Sequence, residues 1–232
     1  MKLSIIIPVY NENATVLEIL KKIESIQNIQ KQIIIVDDGS NDGSYQLINS
    51  FNFISEHKII RHDFNSGKGS CIKSAQNYIS GDIVIIQDAD LEYDPNDYNE
   101  IIKAIYKNKK KVVYGSRVLN KTRYDQKNFI SNFRIFANHI LTLLTNFLFL
   151  QNLTDAHTCY KAFDSKVFKE INLKENDFAF CPEITAKVSK LGHKIFEVPI
   201  SYFGRNYNEG KKISFYDGIR AILVLLKYRI FY

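Results

Sequence analysis

The chain is short of several things that would define a protein class. Its three cysteines, Cys71, Cys159 and Cys181, are scattered through 232 residues with no CxxC pair. Neither a disulfide framework nor a zinc site is suggested, and a reducing cytoplasm is the natural setting. No apolar run reaches the roughly 20 residues of a membrane span. The most apolar stretch, 128–150, is interrupted by Arg134, Asn138, His139 and Asn146. The start, Met1-Lys2-Leu3-Ser4-Ile5, enters an apolar strand directly and lacks the flanks of a signal peptide. Internal repeats and low-complexity linkers are missing too. No nucleic-acid motif accompanies the net charge of +6, so nucleic acid ranks last among partners.

What is present fits one α/β domain, 1–232, with 45% apolar and 24% charged residues. The charge is polarised along the chain. Residues 1–100 carry 8 Lys/Arg against 15 Asp/Glu, and 101–134 carry 10 against 1. Such a basic block serves as a solvated helix face or as a surface for anionic lipid or phosphate.

Apolar runs ending in polar clusters mark a series of strands. Leu3–Val9, Gln32–Val36, His57–Arg61, Ile83–Ile86, Lys111–Tyr114 and Lys194–Val198 alternate with helical patterns from about Ala14, from Asn65 to Tyr78, from Asn96 to Asn108, over 128–150, from Pro182 to Leu191 and from Tyr216 to Tyr228. This alternation predicts βαβ units and a mostly parallel sheet. Two strands end in acids, Asp37-Asp38 and Asp88-Ala89-Asp90-Leu91-Glu92. The carboxyl ends of parallel strands are where ligands bind, and two aspartates one residue apart there can hold a divalent cation against a diphosphate. Asp94-Pro95-Asn96-Asp97 just beyond reads equally well as helix capping. The Gly67-Lys68-Gly69 turn fails as a Walker loop, which needs Gly at His62 and Ser/Thr at Gly69. Lys68 at a helix start can still meet a phosphate.

Ile7-Pro8-Val9-Tyr10-Asn11-Glu12, Val36-Asp37-Asp38-Gly39-Ser40, Asn65-Ser66-Gly67-Lys68-Gly69, Asp88-Ala89-Asp90-Leu91 and Gly115-Ser116-Arg117, in this order, resemble the family 2 inverting glycosyltransferases of the GT-A fold. Within them the likeness is to the dolichol-phosphate mannosyltransferase-like and polyprenyl-phosphate branch. It extends through Tyr160-Lys161-Ala162-Phe163, Pro182 to Lys187 and Gly204-Arg205-Asn206-Tyr207. The resemblance implies a Rossmann-like nucleotide-sugar half, about 1–117, and an acceptor half, 118–232. Pro8, Tyr10 and Glu12 are then expected to line the nucleotide pocket, with Asp38 on the base or ribose. Asp88 and Asp90 are the expected DXD pair for Mg²⁺ or Mn²⁺, with Glu92 as a third ligand. Arg117 is expected at the acceptor phosphate, with Arg123 or Arg134 beside it. Arg205 and Lys211 or Lys212 close over the donor diphosphate.

The implied reaction takes a sugar from a GDP- or UDP-sugar to polyprenyl phosphate at the cytoplasmic face of a membrane. A phosphate nucleophile is already ionised near neutral pH and needs positioning rather than deprotonation. A saccharide hydroxyl acceptor, the alternative, needs a general base. Asp155 is the residue for that role unless it caps a turn. A non-catalytic nucleotide-binding module is the third reading. His157 and Cys159 read as packing groups. The apolar faces of 129–150 and of the C-terminal helix suit either the core or a membrane interface.

Overall fold

The isoleucine runs explain the architecture. Successive strand residues point to opposite faces, so Ile5 and Ile7 of β1 (Lys2–Val9) enter one core while Ile6 enters the other. Ile33 and Ile35 of β2 (Gln30–Asp37) separate in the same way from Ile34 and Val36, as do Ile83 and Ile85 of β4 (Ile83–Ile86) from Val84 and Ile86. A strand apolar on both sides needs helices on both sides. The first core is closed by α1 (Val16–Ser25), α2 (Ser44–Ser50) and α4 (Tyr98–Tyr106), the second by α3 (Lys68–Gln76), α6 (Ser165–Glu170) and α7 (Phe180–Lys190). The remaining elements are β3 (Glu56–Arg61), β5 (Val112–Ser116), α5 (Phe129–Phe149), β6 (Lys161–Asp164), β7 (Ile195–Pro199) and α8 (Phe215–Ile230). The structure, a computed structural model, describes residues 1–120, 129–205 and 215–231.

The strands form one sheet in the order β3-β2-β1-β4-β6-β5-β7. All pairs are parallel except those of β6, which runs antiparallel between β4 and β5. The mostly parallel α/β sheet expected from the sequence is therefore present, with one strand and one helix, β6 and α6, that the apolar patterning does not announce. Asp94 does cap, accepting from the Asn96 N–H at 3.0 Å in a short 3-10 turn ahead of α4. Since β2 and β3 lie on one side of β1 and β4 on the other, the strand order reverses between β1 and β4. A crevice opens at the carboxyl ends of such a pair.

Helices α5 and α8 pack on each other and on α7 through Leu144, Leu148, Phe149, Val224, Leu225 and Tyr228. Their outer sides are also apolar. Phe136, Ile140, Leu143, Phe147 and Leu150 recur every three or four residues and are exposed, as are Tyr216, Ile219, Leu223, Leu226 and Ile230. No helix among the described residues is long and apolar enough to cross a membrane.

Candidate active site

The crevice between β1 and β4 is a cleft of about 400 Å³. Pro8, Tyr10, Glu12, Asp38, Lys68, Asp88, Asp90, Glu92, Arg117 and Arg205 all line it. The end of β2 builds one wall. Asp38 is buried; it accepts the N–H groups of Ser66 at 3.0 Å and Gly67 at 2.7 Å, and His62 Nδ1 lies 2.7 Å from it. Both oxygens hold the 62–67 segment, so this carboxylate shapes the wall of the cleft that it lines. Gly67 has φ +93°, and a Cβ there would stand 2.5 Å from the carbonyl oxygen of Asn176. That glycine lets the loop close against the 175–177 segment.

The acids after β4 form the floor. Leu91 sits at φ 64°, a left-handed conformation that an L-side chain adopts at a cost. Its turn sets Asp90 and Glu92 on the cleft side. Asp88 is ion-paired with Lys68, and Asp90 accepts from Arg205 Nη2 at 2.9 Å. The same guanidinium reaches across the crevice to Glu12 at 3.1 and 3.3 Å. Burial and the neighbouring Asp88 and Glu92 charges raise the Asp90 pKa, and Arg205 opposes them. Glu92 spends its carboxylate on a strap, accepting the Tyr202 hydroxyl at 2.8 Å and the Arg205 N–H at 2.7 Å. Carboxylate oxygens crowded at one strand end suit a hard divalent cation. Asp88, Asp90 and Glu92 all line the cleft, the first two paired with cations and the third with the strap.

Arg117 follows β5 and lies at the far side of the cleft. It is held by Asp155, which accepts from Nε at 2.7 Å, Nη2 at 2.8 Å and the Arg117 N–H at 3.1 Å. Asn138 of α5 adds a fourth donor at 3.1 Å, and Asp155 is fully buried. Burial alone would raise this carboxyl, but the Arg117 charge and hydrogen bonds hold it well below the usual range. Asp155 does not line the cleft. The expectation of a general base or a turn cap at Asp155 gives way to its observed place behind Arg117. Glu197 of β7 fixes the segment in turn, accepting the N–H groups of Thr154 at 2.7 Å and Asp155 at 2.9 Å.

Several cleft residues escape the sequence reading. Tyr93 and Tyr202 pack with ring centroids 5.2 Å apart, and Tyr202 lies under the Arg117 guanidinium at 5.1 Å. Asp177 and Phe178 form the opposite lip, with Lys68 5.9 Å above the Phe178 ring. His157 and Cys159 line the cleft as well. The His157 Nε2 is buried with no hydrogen-bond partner, and burial together with Lys161 pushes its pKa down to about 4. The alternating Tyr-Asp-Pro and Ser-Tyr-Phe-Gly segments carry no motif that would single out Tyr93 or Tyr202. The Arg123, Arg134, Lys211 and Lys212 side chains, named at the sequence level for the two phosphates, lie outside the described residues.

A nucleotide-binding half-sheet extended through one antiparallel strand, with acids at the reversal point, is the layout of the GT-A glycosyltransferases, and solved enzymes of that class superpose on this chain. The glucosyl-3-phosphoglycerate synthase of Mycobacterium tuberculosis, in complex with Mg²⁺ and UDP, aligns with a TM-score of 0.70 at 16% identity. That alignment covers 98% of this chain and 79% of the synthase. A mannosyltransferase of Pyrobaculum calidifontis, in complex with GDP-Man and Mn²⁺, aligns with a TM-score of 0.61 at 18% identity over 85% of this chain and 54% of that one. The protein is a glycosyltransferase of the GT-A fold. More narrowly, residues 4–172 match the family model described as "Glycosyl transferase family 2", and the chain belongs to that family. A dolichol-phosphate mannosyltransferase of Pyrococcus furiosus is 26% identical over 98% of this chain, which spans 64% of that protein's length. The UDP-N-acetylglucosamine–dolichyl-phosphate N-acetylglucosaminyltransferase of Methanococcus voltae is 29% identical over 98% of this chain and 92% of its own.

Proposed function

We propose that the protein transfers a sugar from a GDP- or UDP-sugar to the phosphate of a polyprenyl lipid at a membrane surface, working as one domain. The observation that carries this reading is the Arg117–Asp155 pair. Both oxygens of Asp155 are taken by Arg117 and Asn138, so Asp155 is occupied in holding Arg117 and is poorly placed to deprotonate a hydroxyl. A phosphate monoester needs no base. It needs a fixed cation, and the bidentate pair fixes the guanidinium plane while leaving Nη1 unengaged by Asp155. The relatives named for dolichyl-phosphate acceptors support the same choice.

On this reading Asp88 and Asp90 hold Mg²⁺ or Mn²⁺, which neutralises charge developing on the leaving diphosphate. Pro8 and Tyr10 flank the nucleotide, Lys68 and Arg205 supply positive charge on the donor side, and Arg117 orients the attacking phosphate. The exposed apolar rows of α5 and α8 rest at the membrane interface, and in sequence the basic 101–134 block runs into α5.

The test is incubation of purified protein with a panel of UDP- and GDP-sugars, Mn²⁺ and undecaprenyl phosphate, with the lipid product identified by mass. A glycosyl phosphate lipid from one donor is expected. Transfer to a saccharide hydroxyl with none to the lipid phosphate would overturn the reading.

A further inference from the structure

The cleft holds its cations in an unusual place. Arg205 is needed at the donor diphosphate, yet in this structure its guanidinium lies on carboxylates, Asp90 at 2.9 Å and Glu12 at 3.1 and 3.3 Å. Glu12 belongs to the lip after β1 and Asp90 to the lip after β4, so the side chain bridges the crevice where a cation and a diphosphate have to enter. Lys68 sits on Asp88 in the same manner.

The two cations are not equally held. Lys68 is the first residue of α3, is largely buried, and is walled by the rings of Phe178 and Phe180 at 5.9 and 5.8 Å. The Arg205 side chain meets the carboxylates through its terminal nitrogens, while its backbone N–H donates to Glu92. Its Nε is buried and has no hydrogen-bond partner. A buried unpaired donor is costly, and that cost is relieved when the side chain moves to a ligand with more acceptors, as a diphosphate has. The carboxylates bear a complementary strain: Asp88, Asp90 and Glu92 crowd one strand end opposite Glu12, and only two cations, Lys68 on Asp88 and Arg205 on Asp90 and Glu12, are set against these four carboxylates. A divalent ion brings twice the charge to the same oxygens.

We propose that Arg205 is a place-holder cation, seated on Asp90 and Glu12 until a divalent ion takes over the acidic site and releases the guanidinium to the donor's diphosphate. The inference rests on the metal-dependent reading above and adds a property that this reading does not require. Metal binding and nucleotide binding become one exchange. The metal binds weakly alone because it has to evict Arg205, and it binds tightly with a nucleoside diphosphate because the evicted side chain then has a partner. By linkage the enhancement is reciprocal.

Mn²⁺ binding followed by electron paramagnetic resonance reads this without turnover. The samples are the wild type, Arg205→Gln, Arg205→Lys and Asp90→Asn, each with and without UDP or GDP, with circular dichroism as a check of folding. In Arg205→Gln the affinity for Mn²⁺ alone should rise at least ~5-fold, and the tightening produced by the nucleotide should shrink by a similar factor, within the usual range of coupling between sites. Arg205→Lys keeps the charge and should stay near the wild type. Equal Mn²⁺ affinity in the wild type and folded Arg205→Gln, with Asp90→Asn still losing the ion, overturns the exchange and leaves the metal site standing. No Mn²⁺ bound by the wild type with either nucleotide overturns both.

Discussion

At the scale of single residues, the acids divide into those that face the cleft and those that hold something else in place. Asp90→Asn removes negative charge from the cleft floor and is expected to lower transfer by a factor on the order of 10² or more, with the melting temperature unchanged. Full turnover in that variant with Mn²⁺ present would remove the metal role. Asp155 is predicted to act through Arg117. Asp155→Asn should raise the KM for the lipid phosphate and leave the KM for the donor unchanged, as steady-state kinetics with each substrate varied will show. Asp155→Ala leaves a half-buried guanidinium uncompensated and should cost about 2–4 kcal/mol in urea unfolding. The sequence showed which acids stand at strand ends, because a carboxylate after an apolar run has few structural uses. It could not show that Asp38, Glu92 and Asp155 turn their oxygens to loop N–H groups, a strap and an arginine. Those partners come from residues 28 and 29, 110 and 38 positions away.

At the scale of elements, β1, β2 and β4 were legible because each contains an uninterrupted run of isoleucine and valine, and α1 and α4 because their apolar positions follow a helical period. Strand β6 was not. It has four residues, begins with a lysine, and is buried only because Lys161 donates to the Ala156 carbonyl at 2.9 Å and lies 3.7 Å over the Tyr114 ring. The long apolar helix was legible as a helix, but its sidedness was not. The structure separates two neighbours that look alike in sequence: Phe147 is 79% exposed and Phe149 is 7% exposed. Phe147→Ser should therefore release the protein from anionic vesicles in a flotation assay without changing its stability. Phe149→Ser should lose stability by about 3 kcal/mol or more from the emptied packing site. A wild type that stays with the soluble fraction at every salt and lipid composition would end the interfacial role of α5.

At the scale of the whole molecule, stability should depend on pH through His157. Its folded pKa is down to about 4 against an ordinary 6.5. Below 6.5 the unfolded chain takes up a proton that the folded chain refuses until about 4, so stability is complete above 6.5 and falls as the pH drops toward 4. The full loss is on the order of 3–4 kcal/mol at about 1.4 kcal/mol per pH unit. Urea unfolding of the wild type and His157→Gln across that window checks it: the variant should lose the slope, and parallel curves would refute the assignment. Asp155 adds its own loss only below its ordinary 3.8. The sheet order has a further consequence, for the ribosome. Strand β4 carries the acidic pair but pairs on one side with β6, about 75 residues later in the chain. At ~5–20 residues per second, roughly 4–15 s of synthesis separate them. For that interval the nascent chain carries a four-residue isoleucine and valine strand with one edge open, the kind of edge that recruits other strands. The short antiparallel insert that joins β4 to β5 is thus also the strand that closes this edge of the growing polypeptide.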